Sequence, residues 1–186
     1  MKIHIFGASG SGVTTTGKEI AQKLNLDYFD SDDYFWKNTE VPFTQRNSPE
    51  ERNSKIKSDL NSSKNWVLGG SIFQWGEAIF PSFDLVIFLW IPADIRIERL
   101  KARELERYGD IIFTDPQRIK QFEDFLIWSA DYDLNTGIAN RTRQSHEEWL
   151  LSLDFPILRI IGDTTIEERI EIILQKISSL NLYIDN

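Results

Sequence analysis

The stretch Gly7-Ala8-Ser9-Gly10-Ser11-Gly12-Val13-Thr14-Thr15 decides how the rest of the chain is interpreted. It follows an apolar run that ends at Phe6, and it precedes apolar residues at helical spacing. A strand, a glycine-rich turn and a helix in this order form the context of a phosphate-binding P-loop. Gly7 and Gly12 let the backbone curl, so that successive amides and the helix N-terminus face an anion.

One position departs from the usual loop pattern, which places Lys directly after the second glycine. Here that residue is Val13, and Thr14 occupies the position whose hydroxyl binds Mg²⁺. A Gly/Ser-rich turn can also be only a tight connection between a strand and a helix. Lys18 lies more than one turn further along the helix, and we expect it to be a solvated surface residue rather than a replacement for the missing Lys.

The composition limits the classes of function. The 186 residues fit one domain, and 41% hydrophobic residues with twelve Phe and six Trp supply an ample core. A formal charge of −8 argues against a nucleic-acid or membrane-surface partner, because both favour a basic face. The absence of Cys excludes disulfides and suits a reducing compartment. Without a signal-peptide pattern or a membrane-length apolar run, a cytoplasmic location is expected.

An acidic cluster, Asp30-Ser31-Asp32-Asp33, follows a second strand that is predicted over residues 26–29. Open α/β sheets bind ligands at the carboxyl ends of their strands. Carboxylates placed there can hold Mg²⁺ or accept a proton from a substrate hydroxyl, and the alternative is an Asx-rich turn that caps the next helix. The third strand, predicted over residues 65–68, ends without an Asp. A metal carboxylate is therefore expected from Asp32 or Asp30.

A helix start is predicted at Ser48-Pro49-Glu50-Glu51, which combines a Ser cap, a Pro and a Glu three residues after the cap. The helix is expected to end near residue 60. Because Ile56 and Leu60 are its only long apolar residues, it is expected to pack lightly at the periphery. Arg46 and Arg52 are expected to be solvated, with contact to an anionic substrate group as the alternative.

The second half of the chain carries most of the candidate cations. A continuous apolar run at 85–91 predicts a central parallel strand, and a helix over residues 94–108 follows it with Arg96, Arg99 and Arg103 on one side. The guanidinium groups of such a row are either solvated or bind a triphosphate. Residues 109–140 form a long insertion, with a helix that starts at Asp115-Pro116 and is broken over residues 131–137. Beyond it, Arg141 and Arg143 are candidates for closing over phosphates, whereas His146 is expected to be structural.

A fifth strand at 156–161 and a final helix at 166–180 complete an alternation of five strands with helices, which predicts a parallel sheet covered on both faces. The chain now resembles the P-loop small-molecule kinases of the adenylate kinase and shikimate or gluconate kinase group. The resemblance rests on residues 7–15, on Asp30-Ser31-Asp32 and on residues 85–103. More narrowly, the chain is similar to adenylate kinase-related, or topology modulation, proteins whose P-loop has no Lys.

The resemblance implies a three-layer P-loop NTPase fold over residues 1–186 with strand order 2-3-1-4-5. It implies an acceptor-binding region at 33–65, a helical lid at 104–146 and an adenine-bordering turn at 162–164. The implied cofactors are ATP and Mg²⁺. Nucleotide-binding residues would be Gly7, Ser9, Gly10, Ser11, Gly12, Val13, Thr14, Thr15 and Arg103.

The expected function is ATP-dependent phosphoryl transfer to a small-molecule acceptor, in particular a nucleotide or nucleoside. Thr14 and Asp32 would hold the metal, and Asp30 or Asp32 would activate the acceptor. Arg141 and Arg143 would stabilise the transferring charge. Since Val13 supplies no positive charge, a non-catalytic nucleotide-binding regulatory protein remains the alternative.

Overall fold

The computed structural model describes residues 1–76, 80 and 82–182. Five strands form one sheet: β1 (Lys2–Gly7), β2 (Asp27–Asp30), β3 (Trp66–Gly69), β4 (Leu85–Trp90) and β5 (Ile157–Ile161). Their order is β2-β3-β1-β4-β5, and each neighbouring pair is parallel. The expected three-layer α/β fold and strand order are confirmed. The carboxyl ends of these strands meet at one edge of the sheet.

The helices alternate with the strands. They are α1 (Val13–Leu24), α2 (Ser31–Phe35), α3 (Pro49–Ser62), α4 (Ala93–Tyr108), α5 (Ile111–Thr114), α6 (Pro116–Leu134), α7 (Arg143–Ser152) and α8 (Ile166–Ser179). The capping box predicted for α3 is present, with the Glu51 amide donating to Ser48 Oγ. Helix α6 runs to Leu134, past the predicted break at Asp131. In the described part of the chain, no helix has the length and apolar character to cross a membrane.

The side chains of β1 alternate between two apolar cores, as the two-residue period of a strand requires. Ile3 and Ile5 face a cluster that includes Ile20 of α1 and Ile173 of α8. Phe6 faces the other cluster, together with β3, β4, α3 and α7. The helices therefore cover both faces of the sheet.

Helix α3 is anchored more firmly than its sequence suggested. Ile56 and Leu60 are completely or almost completely buried in the second core cluster. The prediction of light peripheral packing is wrong, because two apolar side chains four residues apart lie on the same helix face and both reach the core.

Candidate active site

The loop between β1 and α1 has the backbone shape of an anion-binding nest. Gly10 and Gly12 have φ angles of 81° and 87°, in the left-handed region that favours glycine. The Ser11 amide donates to the Ala8 carbonyl at 3.1 Å, and the Thr16 amide donates to the Gly12 carbonyl at 2.9 Å. The loop thus turns directly into the N-terminus of α1, and it lines a cavity of about 680 Å³. Loop amides and a helix N-terminus together favour a bound anion.

The predicted acidic cluster lies beside this loop. Thr14 Oγ1 and the Tyr28 hydroxyl donate to Asp30 Oδ2 at 3.1 and 3.0 Å, while Asp30 Oδ1 accepts the Asp32 amide at 3.1 Å. Asp30 therefore caps α2, as the Asx-turn alternative required, and also faces the P-loop. Thr14, Asp30 and Asp32 all line the cavity.

These oxygens are of the type that Mg²⁺ binds, usually through one or two carboxylates with substrate phosphates and water completing the shell. No group of three or more His, Cys, Asp or Glu side chains that could hold a metal occurs among residues 1–76, 80 and 82–182. The described residues therefore suit a phosphate-dependent Mg²⁺ site better than an all-protein cage.

Asp32 has the electrostatic setting of a proton acceptor. Its side chain is open to the cleft but surrounded by other protein groups, and this desolvation is the largest cause that raises its pKa. The Asp30 carboxylate raises the pKa further, and the Arg141 guanidinium opposes the shift. A carboxylate with a raised pKa is a better proton acceptor than an ordinary exposed Asp.

Three of the predicted cations, Arg99, Arg103 and Arg141, lie on the cavity wall. Arg103 is on α4, with its guanidinium 5.8 Å from the centre of the Phe125 ring, and Arg141 lies 5.6 Å from the Trp128 ring. Burial lowers the pKa of both guanidiniums, and Arg103 Nε is buried without a hydrogen-bond partner. Aromatic packing thus holds two arginines opposite the P-loop.

Arg143 lies outside the cavity. It was predicted to close over phosphates, but it does not line the cavity, and its exposed guanidinium stacks on Trp90 at 4.2 Å from the ring centre. It is the first residue of α7, where the helix directs the side chain towards β4 instead of the cleft. Val13 lines the cavity at the start of α1 and also packs against the first core cluster.

His146 is buried, as expected for a structural residue. Its Nε2 lies 2.9 Å from Ser71 Oγ, and its Nδ1 lies 3.0 Å from the Tyr132 hydroxyl. Burial lowers the pKa of His146 to about 3, and nearby Arg141 adds to this effect. The imidazole is therefore neutral near pH 7 and links α7 to β3 and α6.

The burial of three arginines was not predicted from the sequence. Arg96 donates to the Ser9 carbonyl at 3.0 Å and pairs with Asp133, so it holds the P-loop from α4. Arg169 donates to the Ser11 carbonyl at 2.8 Å from α8. Arg52 lies 4.0 Å from the centre of the Trp75 ring.

A sequence signal for these three arginines did exist. Each lies four residues before a buried apolar residue of its own helix, namely Ile56, Leu100 and Ile173. An Arg on the apolar stripe of a helix is therefore a better candidate for burial than an Arg on its polar face.

A second cavity of about 1070 Å³ adjoins the first, and the two share Ser9, Asp32, Arg103, Arg107, Trp128 and Arg141. Its walls come from the predicted acceptor region and from the predicted lid, and they combine aromatic rings with guanidinium groups. They include Phe35, Trp36, Phe43, Arg46, Arg52, Trp75, Arg107, Arg118, Phe122 and Trp128. Asp32 lies where the two cavities meet, which is where phosphoryl transfer between two bound molecules would require a proton acceptor.

The geometry agrees with comparisons to known proteins. Residues 9–126, more than half of the chain, match the family model described as "Shikimate kinase". "Uncharacterized protein YqaC" of Bacillus subtilis is 39% identical over 177 residues, which cover 95% of this chain and 97% of that protein. "Cytidylate kinase" of Methanosphaera stadtmanae is 29% identical over 161 residues, covering 75% and 91% of the two chains.

Among solved structures, deoxyadenosine kinase from M. mycoides with bound dATP has a similar fold. Its TM-score is 0.57 at 16% sequence identity, and the match covers 96% of this chain and 100% of that chain. The P-loop, the strand order and the family match agree, and the chain therefore belongs to the shikimate kinase family of P-loop small-molecule kinases.

Proposed function

We propose that the protein is a Mg²⁺-dependent kinase that transfers the γ-phosphoryl group of ATP to a small acceptor, with nucleotides and nucleosides as the favoured class. One observation carries this proposal. The P-loop, the Thr14–Asp30–Asp32 cluster and the guanidinium groups of Arg103 and Arg141 line a single cavity. Phosphoryl transfer requires mainly positioning and charge neutralisation, and this cavity holds groups suited to both.

The residues take separate roles in the proposed reaction. The loop amides bind the phosphates, and Thr14 would hold Mg²⁺, which neutralises negative charge on the phosphates when it is bound. Asp32 accepts the proton of the acceptor hydroxyl, with Asp30 keeping its pKa raised. Arg103 and Arg141 stabilise the charge of the transferring group.

The second cavity supports an acceptor that carries a flat ring, an anionic group, or both. Arg46 lies 5.3 Å from the Phe35 ring centre and Arg52 lies 4.0 Å from the Trp75 ring centre, so rings and guanidiniums alternate along the wall. In this proposal residues 33–65 hold the acceptor and residues 104–146 form the lid of one kinase domain in the cytoplasm. The base of a nucleotide or nucleoside would stack on the aromatic side chains and guanidinium groups of this wall.

The proposal is tested by measuring ATP consumption with and without Mg²⁺ against nucleosides, nucleoside monophosphates, shikimate and gluconate. We expect Mg²⁺-dependent turnover with at least one acceptor, and a loss of that turnover in Asp32→Asn. Asp27→Asn is the matched control, because Asp27 is exposed, accepts a hydrogen bond from Ser63 Oγ and lies outside both cavities. Protein that is folded by circular dichroism but turns over no acceptor would refute the proposal.

Val13 is the observation that favours the second candidate, a nucleotide-binding protein without catalysis. Calorimetry and a Val13→Lys exchange separate the two functions. Tight ATP binding without turnover in the wild type, with turnover appearing only in Val13→Lys, would favour the binding protein. Turnover in the wild type that Arg141→Gln lowers without loss of folding would exclude it.

A further inference from the structure

Arg169 reaches the P-loop from the opposite end of the chain. Its Nη1 donates to the Ser11 carbonyl at 2.8 Å, and its Nε donates to Thr164 Oγ1 at 2.9 Å. A Cβ placed on Gly12 would lie only 2.6 Å from Nη1. The guanidinium is therefore fixed against the glycine that directly precedes Val13, the position where a P-loop normally carries its Lys.

Arg169 forms no ion pair with any described residue. The residue is 1% exposed, and no carboxylate of residues 1–76, 80 and 82–182 lies within ion-pair distance of it. Asp163, an acid whose charge acts on Arg169, pairs instead with Arg99 at 2.6 Å. Arg96, which is equally buried, does have an acidic partner in Asp133. An unpaired buried charge is costly unless a ligand supplies the opposite charge.

One edge of this guanidinium has no hydrogen-bond partner among the described residues. Nη2 makes no hydrogen bond with any described residue, and Arg169 lines the 680 Å³ cavity beside Thr164 and Gly12. The hydrogen bonds of Nε and Nη1 hold the group in place, so little side-chain entropy is lost when an anion arrives. A fixed guanidinium with a free donor edge is well suited to phosphate oxygens.

We propose that Arg169 supplies the positive charge that the P-loop lacks at Val13, and that its Nη2 donates to the polyphosphate held by the loop amides. In this arrangement the positive charge is on a side chain of α8 that lies against Gly12, and not on the first residue of α1. The ligand class is the polyphosphate of a nucleoside triphosphate. This inference rests on the phosphate-binding part of the proposed function and not on phosphoryl transfer.

The first test measures inorganic tripolyphosphate binding by calorimetry, which needs neither an acceptor nor turnover. We expect Arg169→Met, which keeps the length of the side chain and removes its charge, to weaken binding by about 10- to 100-fold, as loss of a charged hydrogen bond does. Arg159→Met, the control at an exposed position of β5, should bind as the wild type does. Equal affinity of Arg169→Met and the wild type, or no tripolyphosphate binding by the wild type, would overturn the inference.

A double-mutant cycle with Val13→Lys separates a role in binding from a merely structural one. Two cations that serve the same anion are not additive, so Val13→Lys should raise tripolyphosphate affinity more in Arg169→Met than in the wild type. A Lys placed in the loop cannot repair a packing defect between α8 and Ser11. An equal gain in both backgrounds would therefore contradict the proposal.

A measurement on the wild-type protein covers the case in which Arg169→Met does not fold. The Nε resonance of Arg169, assigned with Arg169→Lys, should shift when tripolyphosphate is added, while that of Arg159 should not. An unchanged Arg169 resonance at saturation would overturn the inference. These results are independent of the kinase assay, since absence of turnover with intact tripolyphosphate binding counts against phosphoryl transfer alone.

Discussion

Asp32 is the residue through which pH should act on the proposed reaction. Its active form is the carboxylate, and desolvation and the Asp30 charge raise its pKa while Arg141 lowers it. Activity should therefore fall as the pH drops through this raised pKa. Asp30→Asn removes a negative neighbour and should move the acid limb of kcat/KM to lower pH. Arg141→Gln removes a positive neighbour and should move it to higher pH.

The opposite directions of these two shifts make the pH profile diagnostic. Asp27→Asn, at the other end of β2, is the control and should leave the acid limb in place, because Asp27 is not among the charges that act on Asp32. Shifts of Asp30→Asn and Arg141→Gln in the same direction would contradict the assignment of Asp32 as the proton acceptor.

At the scale of single residues, the sequence predicted the site residues whose location follows from the order of strands and loops alone. Asp30 and Asp32 follow a strand, and strand ends meet at one edge of a parallel sheet, so their place beside Thr14 could be inferred. Arg143 could not be separated from Arg141, because the start of α7 sends two nearby side chains in different directions. The apolar stripe of α8 indicated the burial of Arg169, but its hydrogen bond to the Ser11 carbonyl, 158 residues away, is encoded by no local pattern.

At the scale of elements, helix α3 is mostly polar and is anchored to the core by two apolar side chains, Ile56 and Leu60. Leu60→Ala should lower the free energy of unfolding by about 2–5 kcal/mol, since it empties a fully buried position in the second core cluster. Lys57→Ala, on the exposed side of the same helix, should change it by less than about 0.5 kcal/mol. Urea denaturation checks both values, and equal effects of the two variants would contradict the core position of α3.

The loop after α6, which leads to Arg141, is held by one carboxylate. Asp131 accepts hydrogen bonds from the Ala139 and Ile138 amides and from the amide and hydroxyl of Thr136. This explains why Asp131 does not end the helix as its sequence suggested: its side chain organises the loop that follows. The Ala139 bond and then the Thr136 hydroxyl are the largest causes that lower the pKa of Asp131 to about 2.

The hydrogen bonds of Asp131 should make the stability of the fold depend on pH. An unfolded Asp has a pKa of about 3.9, so the stability that Asp131 contributes is present above that value and is lost as the pH falls towards 2. Asp131→Asn should therefore lower Tm by several degrees at pH 7, and its difference from the wild type should shrink between pH 4 and pH 2. Asp124→Asn, an exposed change on α6, should show no such trend. A constant difference at all pH values would contradict this account.

At the scale of the whole molecule, the net charge is negative, but positive side chains are concentrated in the cleft. Its formal charge is −8, yet the described residues that line the P-loop cavity include five arginines and only two aspartates. The sheet order makes this possible, because β1, β2 and β4 lead into the P-loop, the acidic cluster and the arginine-bearing helix at one edge. A negative surface around a positive cleft directs anionic ligands to a single place.

If this cleft binds ATP, the ligand should stabilise the whole fold, because its contacts join β1, α4, α8 and the loop after α6. Free ATP at about 100 times its Kd contributes about 2.7 kcal/mol, which raises Tm by about 5–10 °C in a chain of this length. Gly10→Ala should abolish the increase, since Gly10 has a φ of 81° and a Cβ there would meet the Arg96 carbonyl at 2.8 Å. Differential scanning fluorimetry with Mg²⁺ and ATP measures the shift.

Gly137→Ala provides a control that is matched in backbone strain. Gly137 has a φ of 94°, so an Ala there carries a similar conformational cost, but its Cβ would meet no atom within 4 Å. Both variants should therefore melt below the wild type without ligand, and only Gly137→Ala should keep the full ATP-induced increase. An undiminished increase in Gly10→Ala would mean that ATP stabilises the fold without the P-loop, and the proposed site would then be wrong.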